Sequence, residues 1–146
     1  MPDKQGVAYF GETSNDERVT VFHQSDILVS NIRPYFKKMW FATSDGGCNS
    51  DVLCFRASDR RYSYILKSVL YQDSFYDYVM SGSKGTKMPR GDKNHIMQYP
   101  VPKLTPDVLD RFNALAHSIE QTQSQNRDEV VSLLQLQDLF LKTLSR

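Results

Sequence analysis

The feature that most limits how this chain can fold is its last third, which contains no glycine or proline from Asp107 to Leu144. Thr105 is suited to cap a helix, Pro106 to be its first residue and Asp107 to interact favourably with its positive end. At 1.5 Å per residue, roughly 40 residues form a rod of roughly 60 Å. We therefore expect two parts, a compact domain over residues 1–102 and a long helix over residues 103–146.

A heptad-like seam runs along this predicted helix. Its ends are apolar and its middle is polar, a pattern that costs stability in a coiled coil but fixes register and partner. Leu134 and Leu141 widen the C-terminal stripe, so one partner helix would not cover it. The helix either folds back on its own domain or packs against helices of another chain, and we favour the second interpretation. The predicted interface residues are Leu109, Phe112, Ala116, Ile119, Asn126, Val130, Leu133, Phe140 and Leu144.

The compact part is predicted to be rich in β-structure, which together with short helices gives an α+β fold class. Residues up to Asn15 have weak periodicity and are expected to be irregular. Turns are expected at Ser44–Gly47 and in the proline-containing connector Tyr99–Leu104. Apolar and β-branched runs predict strands at Val19–Phe22, Asp26–Ile32, Trp40–Ala42, Asp51–Arg56 and His95–Tyr99. Apolar residues at helical spacing predict helices at Tyr62–Leu70 and Asp73–Met80.

Several function classes find no support in the sequence. The two cysteines, Cys48 and Cys54, and the three scattered histidines match no zinc pattern. Glycine patterns for nucleotide phosphates and nucleophile-elbow motifs are absent. No segment approaches the roughly 20 apolar residues that span a bilayer. The chain is thus expected to be a cytoplasmic, non-catalytic protein that uses neither a metal nor a cofactor.

The charge is unevenly distributed, although the net charge is only +1. Residues 31–93 contain eleven Lys or Arg against six acids, which leaves a local charge of +5. Residues 101–146 contain five basic and six acidic residues, a local charge of −1. Any polyanionic partner is therefore expected to face the middle of the chain.

The most basic loop of this middle region is Lys84–Lys93, with four cations, two glycines and a proline. Glycines let backbone N–H groups approach a bulky anion, and Lys and Arg neutralise it or bind a base edge. A solvated surface turn is the alternative, since Gly and Pro are common in charged loops. On these residues alone the solvated turn is favoured.

Four ordered motifs between Ser25 and the helix change this interpretation. Asp26–Ser30 followed by Ile32-Arg33-Pro34 resembles a "G-D-I-L-x-S-x-I-R-P" strand, and Gly47–Val52 resembles the strand that follows it. Gly85–Arg90 resembles a "G-T-x-M-P-R" loop, and Tyr99–Pro102 an "I-P-x-P" entry to a spacer helix. Together they resemble the specificity (S) subunit of type I restriction–modification systems.

The resemblance implies a DNA target recognition domain on a spacer helix. Full subunits of the family carry two such domains and two antiparallel helices, which also dock methyltransferase subunits. Catalysis belongs to the separate methyltransferase (M) and motor-nuclease (R) subunits. The chain holds one domain and one helix, and the family's usual opening segment is expected to be missing before Met1.

Double-stranded DNA and the M and R subunits are thus the implied partners, together with a second copy or another specificity chain paired through the helix. The competing hypothesis is a remnant that binds methyltransferase subunits and reads no DNA; an enzyme of unknown type is a distant third. Arg90 and Asn31 are the favoured base contacts. The predicted DNA-binding residues are Asn31, Arg33, Tyr35, Lys37, Lys38, Arg60, Arg61, Lys84, Thr86, Lys87, Arg90 and Lys93.

Overall fold

The computed structural model describes residues 19–144, and the predicted irregular lead-in lies outside the described residues. The chain divides into two compact units, Met1–Leu104 and Thr105–Arg146. The described elements of the first unit are strands β1 (Thr20–Phe22), β2 (Ile27–Ser30), β3 (Met39–Phe41), β4 (Gly46–Cys48) and β5 (Val52–Phe55), and helices α1 (Ser63–Leu70), α2 (Asp73–Ser81) and α3 (Lys93–Ile96). Short 3₁₀ turns lie at Pro34–Phe36 and Arg60–Tyr62. The predicted α+β class is confirmed.

Two small antiparallel sheets form the β-structure of this unit. The larger has the order β3-β2-β5, so β2 is central and hydrogen-bonded on both sides. The smaller pairs β1 with β4. Because β2 is covered on both faces, its three apolar residues Ile27, Leu28 and Val29 are all buried, as expected for a central strand.

The two faces of β2 contribute to two hydrophobic clusters. Ile27 and Val29 pack with residues of α1, α2 and α3, including Phe75 and Tyr76. Leu28 points to the opposite face, where it packs with Phe22, Trp40 and Ala42 in the second cluster. The Trp40 ring meets Phe22 edge to face, with centroids 5.7 Å apart. This two-sided core fixes the end of β2, from which the candidate site begins.

Two details of the secondary structure differ from the predictions. The strand predicted at His95–Tyr99 is wrong: the short helix α3 lies there, because the Asp92 carboxylate accepts hydrogen bonds from the backbone N–H groups of Asn94 and His95 and caps it. The turn predicted at Ser44–Gly47 includes the first residues of β4. This strand requires a glycine at position 46, because a Cβ on Gly46 would lie 2.6 Å from the Phe22 ring.

The second unit is helix α4, Pro106–Leu144, with 39 residues. Its apolar residues are mostly exposed in the C-terminal half, including Val130, Leu133, Phe140 and Leu144. Leu109 near its start is buried. None of the helices in the described part combines the length and hydropathy that crossing a membrane requires.

Candidate nucleic-acid interface

The loop Lys84–Lys93 is closed on itself by its own backbone. The N–H of Lys84 donates to the carbonyl oxygen of Arg90, and the N–H of Arg90 donates back to that of Lys84, each at 3.0 Å. Gly85 takes φ +95°, a left-handed conformation that residues with a side chain rarely adopt. Thr86, Lys87 and Met88 lie at the exposed tip of the loop, whereas the following proline is buried.

The same loop is joined to the segment that leaves β2. The N–H of Arg33 donates to the carbonyl oxygen of Pro89 at 2.8 Å, and the N–H of Gly91 donates to that of Asn31 at 3.2 Å. Asn31 in turn donates its N–H to the carbonyl oxygen of Asp51, the residue directly before β5, at 2.8 Å. Two of the motifs singled out in the sequence, about 50 residues apart, therefore form one continuous piece of surface. We call the residues Asn31–Lys38 and Lys84–Lys93 the basic surface.

Gly91 makes this joint possible. A Cβ at Gly91 would lie 2.7 Å from Ile96 Cδ1, 2.8 Å from Asn31 Oδ1 and 3.0 Å from Val79 Cγ1. Two of these neighbours are hydrophobic core residues, so they have little room to move. The glycine therefore serves close packing at this position, and its φ is not in the left-handed region.

Three carboxylates partly neutralise the basic surface. Lys84 Nζ lies 3.1 Å from Asp92 Oδ2, Arg90 Nη2 lies 3.1 Å from Asp51 Oδ1, and Lys37 Nζ lies 2.9 Å from an oxygen of Asp73. The Lys84 ammonium is the largest cause of the lowered pKa of Asp92, which the two capping N–H groups lower further. With seven Lys or Arg and these three acids, the surface retains a formal charge of +4.

The exposed cations lie mainly in the loop. The side chains of Lys84 and Arg90 are 83% and 57% exposed despite their ion pairs. Lys38, Lys87 and Lys93 are also exposed, and within residues 19–144 they have no ion-pair partner. Positive groups are thus available to solvent along the loop and, through Lys38, on the segment that leaves β2.

Asn31 and Arg33 are held more tightly than the other predicted contacts. Asn31 is 8% exposed, and its buried Oδ1 has no hydrogen-bond partner among residues 19–144. Arg33 Nε is buried without a partner in the same part of the chain, and its backbone is left-handed at φ +49°. Unsatisfied buried polar atoms cost about 1–3 kcal/mol each, and left-handed residues about 1–2 kcal/mol. The structure therefore places Asn31 in the framework of the surface, and its role as a base contact stays a prediction.

The remaining predicted contacts differ in their surroundings. Tyr35 is exposed beside Lys37 and Lys38 on the 3₁₀ turn Pro34–Phe36. Arg60 and Arg61 lie on the other 3₁₀ turn, where Arg61 forms a salt bridge of 2.8 Å with Asp59. The backbone hydrogen bonds that define the basic surface do not include these two arginines.

Phe36, an exposed aromatic residue next to Tyr35, was not among the predicted contacts. It is 48% exposed, and its ring centroid lies 4.7 Å from that of Tyr35. Lys38 Nζ lies 5.9 Å from the Phe36 ring centroid, within range of a weak cation–π interaction. An aromatic residue two positions after a proline that follows a strand, and directly before two lysines, is the sequence signal that could have identified it.

Comparison with known proteins gives limited but relevant similarity. No protein-family model matches the chain. The chain is similar to the type I restriction enzyme EcoDI specificity subunit of Escherichia coli, with 26% identity over 100 residues. The match covers 68% of the chain but 21% of that protein, so the chain spans about a fifth of the relative's length. This similarity supports the relation to type I specificity subunits that the sequence motifs indicate.

Proposed function

We propose that this chain recognises DNA as half of a specificity subunit of a type I restriction–modification system. In this role it directs methyltransferase and motor-nuclease subunits to their site and carries out no catalysis itself. The observation that carries the proposal is the pairing of Arg33 N–H with the Pro89 carbonyl at 2.8 Å, because it joins the two motif segments into one basic surface.

The chemistry of the basic surface suits a polyanion with aromatic bases. Lysines on flexible stems act as point charges for phosphates, and an arginine can bind a phosphate or the edge of a guanine with two hydrogen bonds. The backbone framework around Asn31 and Gly91 holds the loop in place, so the side chains start from defined positions. Phosphate contacts would set the position of the protein on the duplex, and a few side chains would read the bases.

The loop cations provide the first test. Replacing Lys84, Lys87 and Arg90 by Ala is expected to weaken DNA binding at least about tenfold, and to reduce the magnitude of the salt slope by up to about three. The measurement is fluorescence anisotropy over a salt series, with the full chain co-expressed with the methyltransferase subunit from the same genome. The DNA is a duplex selected from a random pool by the unaltered protein.

The matched control removes the same number of positive charges elsewhere, in Lys103→Ala, Arg111→Ala and Lys142→Ala. This control variant should keep the affinity and the slope of the unaltered protein, because none of its changes lies on the basic surface. An unchanged affinity and slope in the loop variant would remove the loop from the DNA-binding face.

A second candidate function is an interaction module that binds methyltransferase subunits through α4 and reads no DNA. The observation that favours it is the exposed apolar surface of the C-terminal half of the helix, where Leu133, Leu139 and Phe140 are 57%, 63% and 60% exposed. Apolar exposure of this extent marks a protein–protein interface more often than a free surface.

Co-purification followed by mapping of modified bases distinguishes the two functions. The DNA-recognition proposal requires a methylated sequence motif that disappears when this chain is deleted. Co-purification with the methyltransferase, without any motif that depends on the chain, would support the interaction module instead. Failure of both readouts would contradict both functions.

A further inference from the structure

An exposed pair of aromatic rings projects from the basic surface on a rigid turn. Tyr35 and Phe36 belong to the 3₁₀ turn Pro34–Phe36 and are 45% and 48% exposed. Their ring centroids are 4.7 Å apart and the ring planes are inclined by 57°. Because neither ring is part of the two hydrophobic clusters, the core does not account for two large apolar side chains at this position.

The turn is held firmly from both ends, although the rings are exposed. Pro34 is buried, the N–H of Arg33 is bonded to the Pro89 carbonyl oxygen, and Lys37 Nζ forms a salt bridge with Asp73 on α2. The residues on either side of the turn, Arg33 and Lys37, both have left-handed backbone conformations, at φ +49° and +51°. Strained residues of this kind persist where the surrounding structure enforces them, often at binding sites.

The charges around the rings indicate the class of partner. Arg33, Lys37 and Lys38 lie within two residues of the ring pair in sequence, and the loop bonded to the turn adds Lys84, Lys87, Arg90 and Lys93. A partner that fits must present many negative charges next to flat apolar groups. Nucleic acid has this combination, since phosphates alternate with bases whose faces stack on aromatic side chains. An acidic protein surface lacks a regular supply of flat groups.

We infer that Tyr35 and Phe36 form an apolar wedge that packs against the bases of bound DNA at an opened base step. This inference rests on the proposed function and adds to it a contact that does not depend on salt. Apolar side chains inserted between base pairs partly unstack them and bend the duplex. The cations of the basic surface would hold the phosphates on either side while the rings contact the opened step.

The test compares two double variants of the full chain, co-expressed with its methyltransferase subunit. Tyr35→Ala with Phe36→Ala removes both rings, and Tyr35→Phe with Phe36→Tyr keeps both rings and moves the hydroxyl. Stacking on one base is worth roughly 1–3 kcal/mol, which corresponds to about 5-fold to about 150-fold in affinity. Binding of the selected duplex is measured by anisotropy over a salt series, and base unstacking by duplexes with a fluorescent adenine analogue scanned through the site.

The ring-removing variant is expected to bind at least about fivefold more weakly at every salt concentration, with an unchanged salt slope. The analogue should brighten at one step with the unaltered protein and the ring-preserving variant, and not with the ring-removing variant. Thermal unfolding should be similar for all three, since the rings are half-exposed.

The wedge would be contradicted if the ring-removing variant bound within twofold of the unaltered protein, if that variant had a reduced salt slope, or if the analogue brightened at no step with the unaltered protein. Each of these results would leave DNA recognition intact. Loss of methyltransferase co-purification with retained DNA affinity would identify the rings as a protein-docking surface and also overturn the wedge. If the unaltered assembly bound no DNA, the proposed function itself would fail, and the wedge with it.

Discussion

Asp26 is a buried carboxylate at the start of the central strand, and several donors stabilise its charge. Arg56 donates from Nε to Oδ1 at 2.9 Å and from Nη2 to Oδ2 at 2.6 Å, and the backbone N–H of His23 donates to Oδ2 at 2.7 Å. The Arg56 hydrogen bonds are the largest cause of the low pKa of Asp26, which is about 2. Deprotonation of this residue is therefore coupled to folding.

The low pKa of Asp26 predicts a pH dependence of stability. Because the pKa is lower in the folded protein than in the unfolded chain, the stabilisation is fully present above about pH 4 and is lost as the pH falls through about 2. The expected loss is on the order of 2 kcal/mol in the free energy of unfolding. Urea unfolding of the unaltered protein and of Asp26→Asn over this pH range measures it, and the variant should lack this part of the dependence.

Asp59 offers a matched control, since it forms a bidentate contact with an arginine but is more exposed. Its side chain is 43% exposed and pairs with Arg61, so solvent screens the interaction. The Asp59→Asn variant should keep the acid-dependent loss of the unaltered protein. An identical pH profile for the Asp26 and Asp59 variants would contradict the assigned role of Asp26.

At the scale of the elements, the sequence predicts the helices and strands whose signals lie in neighbouring residues. The apolar run of β2, the helical spacing of α1 and α2, and the cap-and-proline start of α4 each lie within a few residues. Strand β4 and helix α3 depend on other contacts. β4 contains Gly46 and Gly47, which have low strand propensity and fit because the Phe22 ring lies against Gly46 and the Val19 side chain against Gly47.

The candidate site shows the same limit of prediction. Loop cations such as Lys84 and Arg90 stand out in the sequence, and the structure shows them on an exposed loop. The bonding of that loop to Arg33, the ion pair of Arg90 with Asp51 and the burial of Asn31 all depend on residues far apart in the chain. No local pattern reports such contacts, so these parts could be known only from the folded chain.

The exposed apolar residues of α4 predict that the chain associates with a partner through the C-terminal half of this helix. Val130, Leu133, Leu134, Phe140 and Leu141 are all more than half exposed, and at 100° per residue they fall on one side of the helix. Leu136 and Leu139 extend the apolar surface around the helix. A surface this wide can pair with the same helix of a second copy and still leave apolar residues for a further partner helix.

Replacing Leu133 and Phe140 by Asp is expected to abolish self-association, because charges in an apolar interface lose their hydration without gaining a partner. Light scattering at several concentrations should give twice the 16.8 kDa chain mass for the unaltered protein and the single mass for the variant. The control variant, Gln125→Asp with Gln135→Asp, places the same charges on polar positions and should remain dimeric. A monomeric unaltered protein at every concentration would contradict pairing through α4.

At the scale of the whole molecule, one basic surface and one long helix per chain predict the form of the DNA site. If the chain binds DNA as proposed, a two-fold dimer would present two identical surfaces in inverted orientation and would read two copies of one half-site. Sequencing of modified bases in cells that contain the chain and its methyltransferase should give a palindromic, bipartite motif. An asymmetric motif would indicate pairing with a different specificity chain.

The three carboxylates next to the basic surface have a consequence for how a polyanion is held. A phosphate that approaches Lys84, Arg90 or Lys37 meets a cation already engaged by Asp92, Asp51 or Asp73, so each new contact replaces an existing one. The nonspecific attraction of a polyanion is thereby weaker than seven unpaired cations would give. Only a partner that also forms contacts with the other side chains of the basic surface compensates for the ion pairs that it replaces. If the chain binds DNA as proposed, these acids would compete with the phosphates for the cations, which would favour rapid release of the wrong sequence and longer residence on the right one.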